Sequence, residues 1–305
     1  MKVVHRYFIQ ASTLVLMLVA TSTSIAKTIT VSHPMGSTTL ETKPERVIVL
    51  GMDSLDVLDH LGVKPIGVVK APMPTYLNEY QDTKFRSVGS LFEPNFEVIY
   101  SLKPDLIIVS NRSSESMKEL SEIAPTVLFM ADPAEYWETS QDAWRMLGMI
   151  FEQEKRIEQT IVQQQAQINE IRLQTKAQQA NALTVMTNGG NLSTFGQHSR
   201  YSAIYQLFGF QEAARNIKTS RHGDLISFEY IATANPDYLL VLDRDQAIGR
   251  SQGKALQQFN NPLINNTSAA RNKKIAHLNA QAWYISASGI TATQLMIDDM
   301  KGVLK

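Results

Sequence analysis

The sequence predicts an α/β protein of two Rossmann-like lobes joined by one long helix, and three observations carry that reading. The first is an internal repeat. Residues 95–112 read NFEVIYSLKPDLIIVSNR and residues 227–244 read SFEYIATANPDYLLVLDR, aligned without a gap at an offset of 132. The copies agree at Phe96/Phe228, Glu97/Glu229, Ile99/Ile231, Pro104/Pro236, Asp105/Asp237, Val109/Val241 and Arg112/Arg244. Each runs from a short amphipathic helix through a Pro-Asp break into an apolar strand, because proline ends a helix and a continuous apolar run suits a buried strand. The second observation is a stretch from 139 to 179 with no proline and one glycine, Gly148, in which Leu147, Ile150, Ile157, Ile161, Ile168 and Ile171 recur at helical spacing. The third is the alternation of strand and helix patterns on both sides of that stretch, which is the sequence pattern of α/β layers.

The elements follow in order. Residues 1–26 carry Lys2 and Arg6, an apolar run from Leu14 to Ala20 and the small-residue ending Ser24-Ile25-Ala26, the pattern of a cleaved secretory signal. The run is too short to span a bilayer. Cleavage after Ala26 removes two of 29 cationic residues and none of 29 acidic ones. The remaining chain is slightly acidic, which argues against nucleic acid as a partner. The 305 residues include no cysteine, so neither a disulfide framework nor a lipid-anchoring cysteine is expected, and a soluble periplasmic protein fits best.

The first lobe is expected over 27–138. It begins with an exposed lead (27–45), then a strand at 46–50, a helix at 53–61 capped by Gly62 and a strand at 65–69. A loop-rich passage leads into the first repeat copy, followed by a helix at 114–123 and a strand at 126–130. As one helix, the 41 residues of 139–179 run to roughly 60 Å, longer than one lobe, so a single connecting brace is expected there. The second lobe, 180–305, opens with a strand at 183–187 running into the turn Asn188-Gly189-Gly190-Asn191. A helix at 201–208 capped by Gly209, the second repeat copy, a helix at 254–259, a strand at 274–278 and a final helix at 291–304 complete it.

No catalytic signature is present: the chain lacks GxSxG, GxxxxGK[ST], HExxH and a cysteine nucleophile. Both repeat strands deliver an arginine at the carboxyl end, where ligands bind in open α/β sheets. Collecting the expected strand ends and cleft loops gives Arg112, Arg200, His222, Arg244 and Tyr284. Three guanidiniums in one cleft are costly to desolvate without an anionic ligand. A phenolate oxygen and an imidazole both suit Fe(III). Taken singly, Tyr284 reads equally as a packed aromatic and His222 as a loop side chain. Glu97 and Glu229 read equally as first-turn residues that complement a helix dipole.

The stretches SRHGDLISFEYIATANPDYLLVLDR and RNKKIAHLNAQAWYISASG closely resemble enterobactin-type ferric-catecholate binders. The whole chain after residue 26 resembles the periplasmic siderophore-binding proteins of ABC importers, the long-helix class III periplasmic binding proteins. That resemblance implies a non-enzymatic, monomeric receptor with no cofactor of its own, whose Fe(III) arrives with the siderophore. It implies that His222 and Tyr284 complete the coordination of iron held by a tetradentate catecholate, with Arg112, Arg200 and Arg244 around the anionic complex. A tris-catecholate would need no protein ligand. Glu97 and Glu229 would lie on the outer faces of the two lobes and dock the inner-membrane permease. Other readings of the same fold are a binder of haem, a corrinoid or a hydroxamate siderophore. An enzyme of chelatase or esterase type is the reading from another class.

Overall fold

The structure is a computed structural model that describes residues 27–250, except Asn216, Lys218, Thr219 and Arg221, and residues 254–305. The expected signal segment, 1–26, lies outside the described residues. The lead expected as merely exposed is a β-hairpin, β1 (Thr28–His33) and β2 (Gly36–Glu41). Val31 and Leu40 are buried, and the Thr38 hydroxyl donates to the Thr126 carbonyl at 2.6 Å. Its alternation of apolar and polar residues spans only one short strand pair, so the sequence gives a weak signal there.

Five parallel strands form the first sheet: β3 (Val47–Val49), β4 (Gly67–Val68), β5 (Arg86–Ser87), β6 (Leu106–Ser110) and β7 (Thr126–Phe129). Their order is β5-β4-β3-β6-β7. The strand order therefore reverses between β3 and β6, and a crevice opens at their carboxyl ends. Helices α1 (Met52–Leu61), α2 (Phe96–Ser101) and α3 (Met117–Ser121) make the connections. Gly62 ends α1 at φ +76, a left-handed cap that glycine adopts without penalty.

The single helix expected over 139–179 is corrected to two, α4 (Tyr136–Ile150) and α5 (Glu154–Ala177). They fold back on each other: Trp137 donates its indole N–H to Gln165, and Arg145 Nε lies 2.6 Å from Glu158 Oε1. Glu152 sits at φ +53 in the connection. Tertiary contacts hold it there, because the Ile150 carbonyl accepts from Lys43 N and the Gln153 amide donates to the Leu61 carbonyl, both at 2.8 Å. Gly148 lets the helices approach, since a Cβ there would lie 2.9 Å from Ile157 Cγ1. The brace between lobes is therefore α5 alone, whose 24 residues span about 36 Å. Thr160 on α5 meets His60 of α1 at 3.1 Å, while Arg172 and Thr175 donate to the carbonyls of Leu207 and Phe208 in the second lobe.

The second sheet contains β8 (Asn181–Asn188), β9 (Asn191–Phe195), β10 (Gln211–Glu212), β11 (Asp224–Ile226), β12 (Tyr238–Asp243) and β13 (Ile275–His277). Its order is β11-β9-β8-β12-β13, with β10 also paired to β8. Strands β8, β12 and β13 are parallel; β9 returns antiparallel through Gly189 and Gly190, at φ +57 and +87. Two consecutive left-handed residues are what a tight hairpin turn of this kind requires. The helices are α6 (Ser202–Gln206), α7 (Phe228–Ala234), α8 (Arg244–Ala247), α9 (Pro262–Asn265), α10 (Ser268–Arg271), α11 (Ala280–Tyr284) and α12 (Ile290–Val303). The last of these leaves the second sheet and packs on α1 and α5, so one apolar core runs from the first sheet through α4, α5 and α12.

Candidate ligand-binding cleft

The two repeat copies have the same local architecture. Asn95 caps α2 by accepting from Val98 N, and Ser227 caps α7 by accepting from Tyr230 N. Ile99 and Ile231 are fully buried beneath those helices. The shared aspartate then ties the following strand to its neighbour. Asp105 accepts from the backbone of Glu45 and Arg46, each at 2.8 Å, just before β3, and Asp237 pairs with the side chain of Asn181 at the start of β8. Val109 and Val241 are buried, and each strand leads to an arginine, Arg112 on the turn two residues past β6 and Arg244 directly after β12.

Those arginines converge. The guanidinium carbons of Arg112 and Arg244 lie 5.7 and 5.6 Å from the centre of the Tyr284 ring, and that of Arg200 lies 4.2 Å from it. Arg244 donates its Nε–H to the Tyr284 phenol oxygen at 2.8 Å and is oriented by Asn188 Oδ1 at 3.0 Å. Burial alone would raise the Tyr284 pKa. The hydrogen bond from Arg244 and the charges of Arg200, Arg244 and Arg112 outweigh burial and hold it below the usual phenol value. Arg112, Arg200 and Tyr284 line an open cavity of about 360 Å³ between the lobes, together with Gly51, Asp53 and Ser288.

Each site residue is held by local structure. Arg112 sits on a turn closed by the Ser113 hydroxyl, which accepts from Ser110 N at 3.1 Å. Arg200 follows a turn in which the buried Ser199 hydroxyl donates to the Gly196 carbonyl at 2.6 Å, so Ser199 is structural. Tyr284 ends α11, whose neighbouring Trp283 is 2% exposed and donates to Asp299 on α12 at 2.8 Å.

His222 is not brought into contact with this cluster. It is exposed on the turn before β11 and does not line the cavity. Gly223 seats that turn: at φ +77, a Cβ there would lie 2.6 Å from the Phe195 ring. Phe195 packs edge-on against Tyr201, over which Arg200 also lies, so the His222 turn borders the cluster through one layer of aromatic rings. Glu97 and Glu229 are both exposed in the first turns of α2 and α7.

Sequence reasoning missed the carboxylates beneath the cleft. Asp53 is half-buried at the cavity wall and accepts from Ser288 Oγ at 3.2 Å. Asp56, fully buried, caps α12 from across the molecule, accepting from Thr291 N at 2.8 Å, Ala292 N at 2.9 Å and Tyr76 Oη at 2.7 Å. Tyr76 Oη is within 2.9 Å of Ser286 Oγ, and Trp144 donates to the Ser288 carbonyl at 2.7 Å. Gly289 admits this approach, since a Cβ there would lie 2.3 Å from the Asp56 carboxylate. The first lobe thus fixes the segment that carries Tyr284. The signal was two acids spaced i, i+3 among apolar residues of the first helix.

A family profile described as periplasmic binding protein matches residues 47–282. The chain belongs to that family. Periplasmic binding proteins are substrate-binding proteins rather than enzymes and work outside the cytoplasmic membrane. Among curated relatives, the petrobactin-binding protein YclQ of Bacillus subtilis is 38% identical over 281 residues, 91% of this chain and 88% of that protein. The ferric-anguibactin-binding protein FatB of Vibrio anguillarum is 34% identical over 277 residues, 89% of this chain and 86% of that one. The crystal structure of the periplasmic catecholate-siderophore binding protein VctP of Vibrio cholerae superposes with a TM-score of 0.88 at 47% identity, covering 90% of this chain and all of that one. As a periplasmic binding protein of this type, the chain has the expected two-lobed class III architecture, with α5 in the place of the connecting helix.

Proposed function

We propose that this periplasmic binding protein is the receptor of an ABC iron importer, capturing ferric catecholate siderophores of the enterobactin type, linear and bis-catecholate forms included. The observation that carries the reading is a half-buried phenol whose oxygen accepts from one guanidinium and whose ring lies among three, beside an open cleft. Relatives named for petrobactin, anguibactin and catecholate siderophores support it.

The chemistry follows from charge. A bis-catecholate fills four of the six positions on Fe(III), and its complex is anionic. Arg112, Arg200 and Arg244 compensate that charge in a partly desolvated site. Tyr284 supplies a hard oxygen donor once its proton leaves, and the same guanidiniums ease that loss. His222, exposed outside the cluster, would be the second protein donor only where the turn before β11 carries its imidazole to the iron. A tris-catecholate is held by the arginines without direct ligation. The iron is cargo, and the protein contributes no cofactor.

Glu97 and Glu229, one exposed on each lobe at matching positions of the repeat, dock basic groups of the permease. With residues 1–26 read as a cleaved signal, the receptor is a free periplasmic monomer.

Titration of the purified protein with synthetic ferric bis-catecholate, ferric tris-catecholate and a ferric trihydroxamate tests the substrate class. Trp283, buried beside Tyr284 and lining the cleft, reports binding by fluorescence quenching. Tight saturable quenching by both catecholates and weak quenching by the hydroxamate is expected. Tighter binding of the hydroxamate would overturn the reading.

A further inference from the structure

We propose that Phe92 is an aromatic platform at the mouth of the cleft, stacking against an aryl ring of the bound complex. The inference rests on the ferric-catecholate reading, because a ligand without aryl faces gains little from such a platform. Phe92 is 60% exposed; a single exposed apolar side chain is ordinary on a protein surface, so what counts is where this ring stands. The Arg112 guanidinium lies 5.5 Å from the centre of the Phe92 ring and 5.7 Å from that of Tyr284. One cation is therefore shared between Phe92 and the proposed iron ligand. The preceding residue, Leu91, lines the cavity itself.

The loop that presents Phe92 is tightly built. Gly89 sits at φ +109, and a Cβ there would lie 2.3 Å from the Glu93 carbonyl oxygen. Ser90 N donates to the Glu93 carbonyl at 2.9 Å, and the Ser90 hydroxyl accepts from the amides of Phe92 and Glu93 at 3.2 and 3.0 Å. Asn95 N closes the loop on the Val88 carbonyl at 2.9 Å. A backbone this constrained has little freedom left to lose when a ligand arrives, so the ring's contact is not offset by ordering the loop. A catecholate ring drawn in by Arg112 comes within reach of Phe92, where offset or edge-on aromatic contact adds attraction beyond the apolar area removed from water.

The test compares the wild-type protein with Phe92→Ala, Phe92→Leu and Phe92→Tyr in titrations with synthetic ferric bis-catecholate, with thermal unfolding as a folding control. Exposure of the ring predicts unchanged unfolding in all three. Phe92→Ala should weaken binding about tenfold, Phe92→Leu should recover only part of that loss, and Phe92→Tyr should bind like wild type. Affinities all within about twofold of wild type would overturn the inference and leave the catecholate reading intact. Phe92→Leu binding as tightly as wild type would overturn the aromatic role in the same way. Unchanged affinity with reduced iron uptake in cells would also overturn it and move Phe92 to the permease-facing surface. Failure of the wild-type protein to bind the probe removes the catecholate reading and the platform together.

Discussion

Tyr284 takes its chemistry from its neighbours. Arg244 donates to the phenol oxygen and two further guanidiniums lie against the ring, so ionisation that burial opposes is favoured overall. A ferric ion that displaces the phenol proton binds more tightly as pH rises, until the phenol is already ionised in the free protein. Arg244→Gln removes both a hydrogen bond and a charge, so the phenol pKa should move back up toward its ordinary value. The pH at which bis-catecholate affinity levels off should rise with it. Ultraviolet titration of tyrosinate, compared between variant and wild type, checks this; an unshifted titration would show that Arg244 does not tune the phenol. At this scale the repeat made Arg112 and Arg244 legible, because an insertion-free match from Glu to Arg carries both strand ends to equivalent places. His222 was legible only as a motif, and the structure leaves it exposed beside the cluster. Asp53 and Asp56 carried only the faint signal of their i, i+3 spacing among apolar residues, because acids in a short helix ordinarily face water and nothing local names a partner more than two hundred residues away.

Helix α12 begins on a carboxylate from the other end of the chain. Asp56 is pushed up to about 6, chiefly by burial, with Tyr76 and the amides of Thr291 and Ala292 pulling the other way. Its folded-state pKa is above the ordinary carboxylate value of about 4, so the folded protein holds the proton more tightly than the unfolded chain. Stability should therefore fall as pH rises from about 4 through about 6 and change little from this group above that. Asp53 is shifted in the same direction, again by burial. Asp56→Asn should flatten the slope, and Asp56→Ala, which strips the cap from α12, should cost about 2 kcal/mol at neutral pH. Denaturant unfolding across that pH range measures both; an unchanged slope in Asp56→Asn would assign it elsewhere. Elements with strong local patterns, such as the strands of the repeat and the Gly62 cap, were legible, whereas the helix expected over 201–208 with a Gly209 cap is shorter, Ser202–Gln206, and is capped at Leu207. The break between α4 and α5 was not, because Glu152 is forced to positive φ by contacts to Lys43 and Leu61 rather than by a glycine or proline.

The molecule as a whole is two sheets flanking one cleft, braced by α5 and by α12, which packs on α5 and on α1 of the first lobe, with the 286–291 segment tied to α1. Glu97 and Glu229 stand exposed on the helices that precede the strands leading to Arg112 and Arg244, so the proposed docking acids and the proposed ligand cations belong to the same repeated unit. Reversing both, Glu97→Lys with Glu229→Lys, should abolish siderophore-dependent iron uptake while ferric-complex affinity stays at the wild-type level. Uptake that persists would remove the docking role. The central claim concerns one oxygen atom, and the visible spectrum of the ferric bis-catecholate complex tests it most directly. Wild-type protein should add a tyrosinate-to-iron charge-transfer contribution that Tyr284→Phe lacks, with weakened affinity for the bis-catecholate and little change for the tris-catecholate. Identical spectra and affinities in the two proteins would contradict direct ligation by Tyr284.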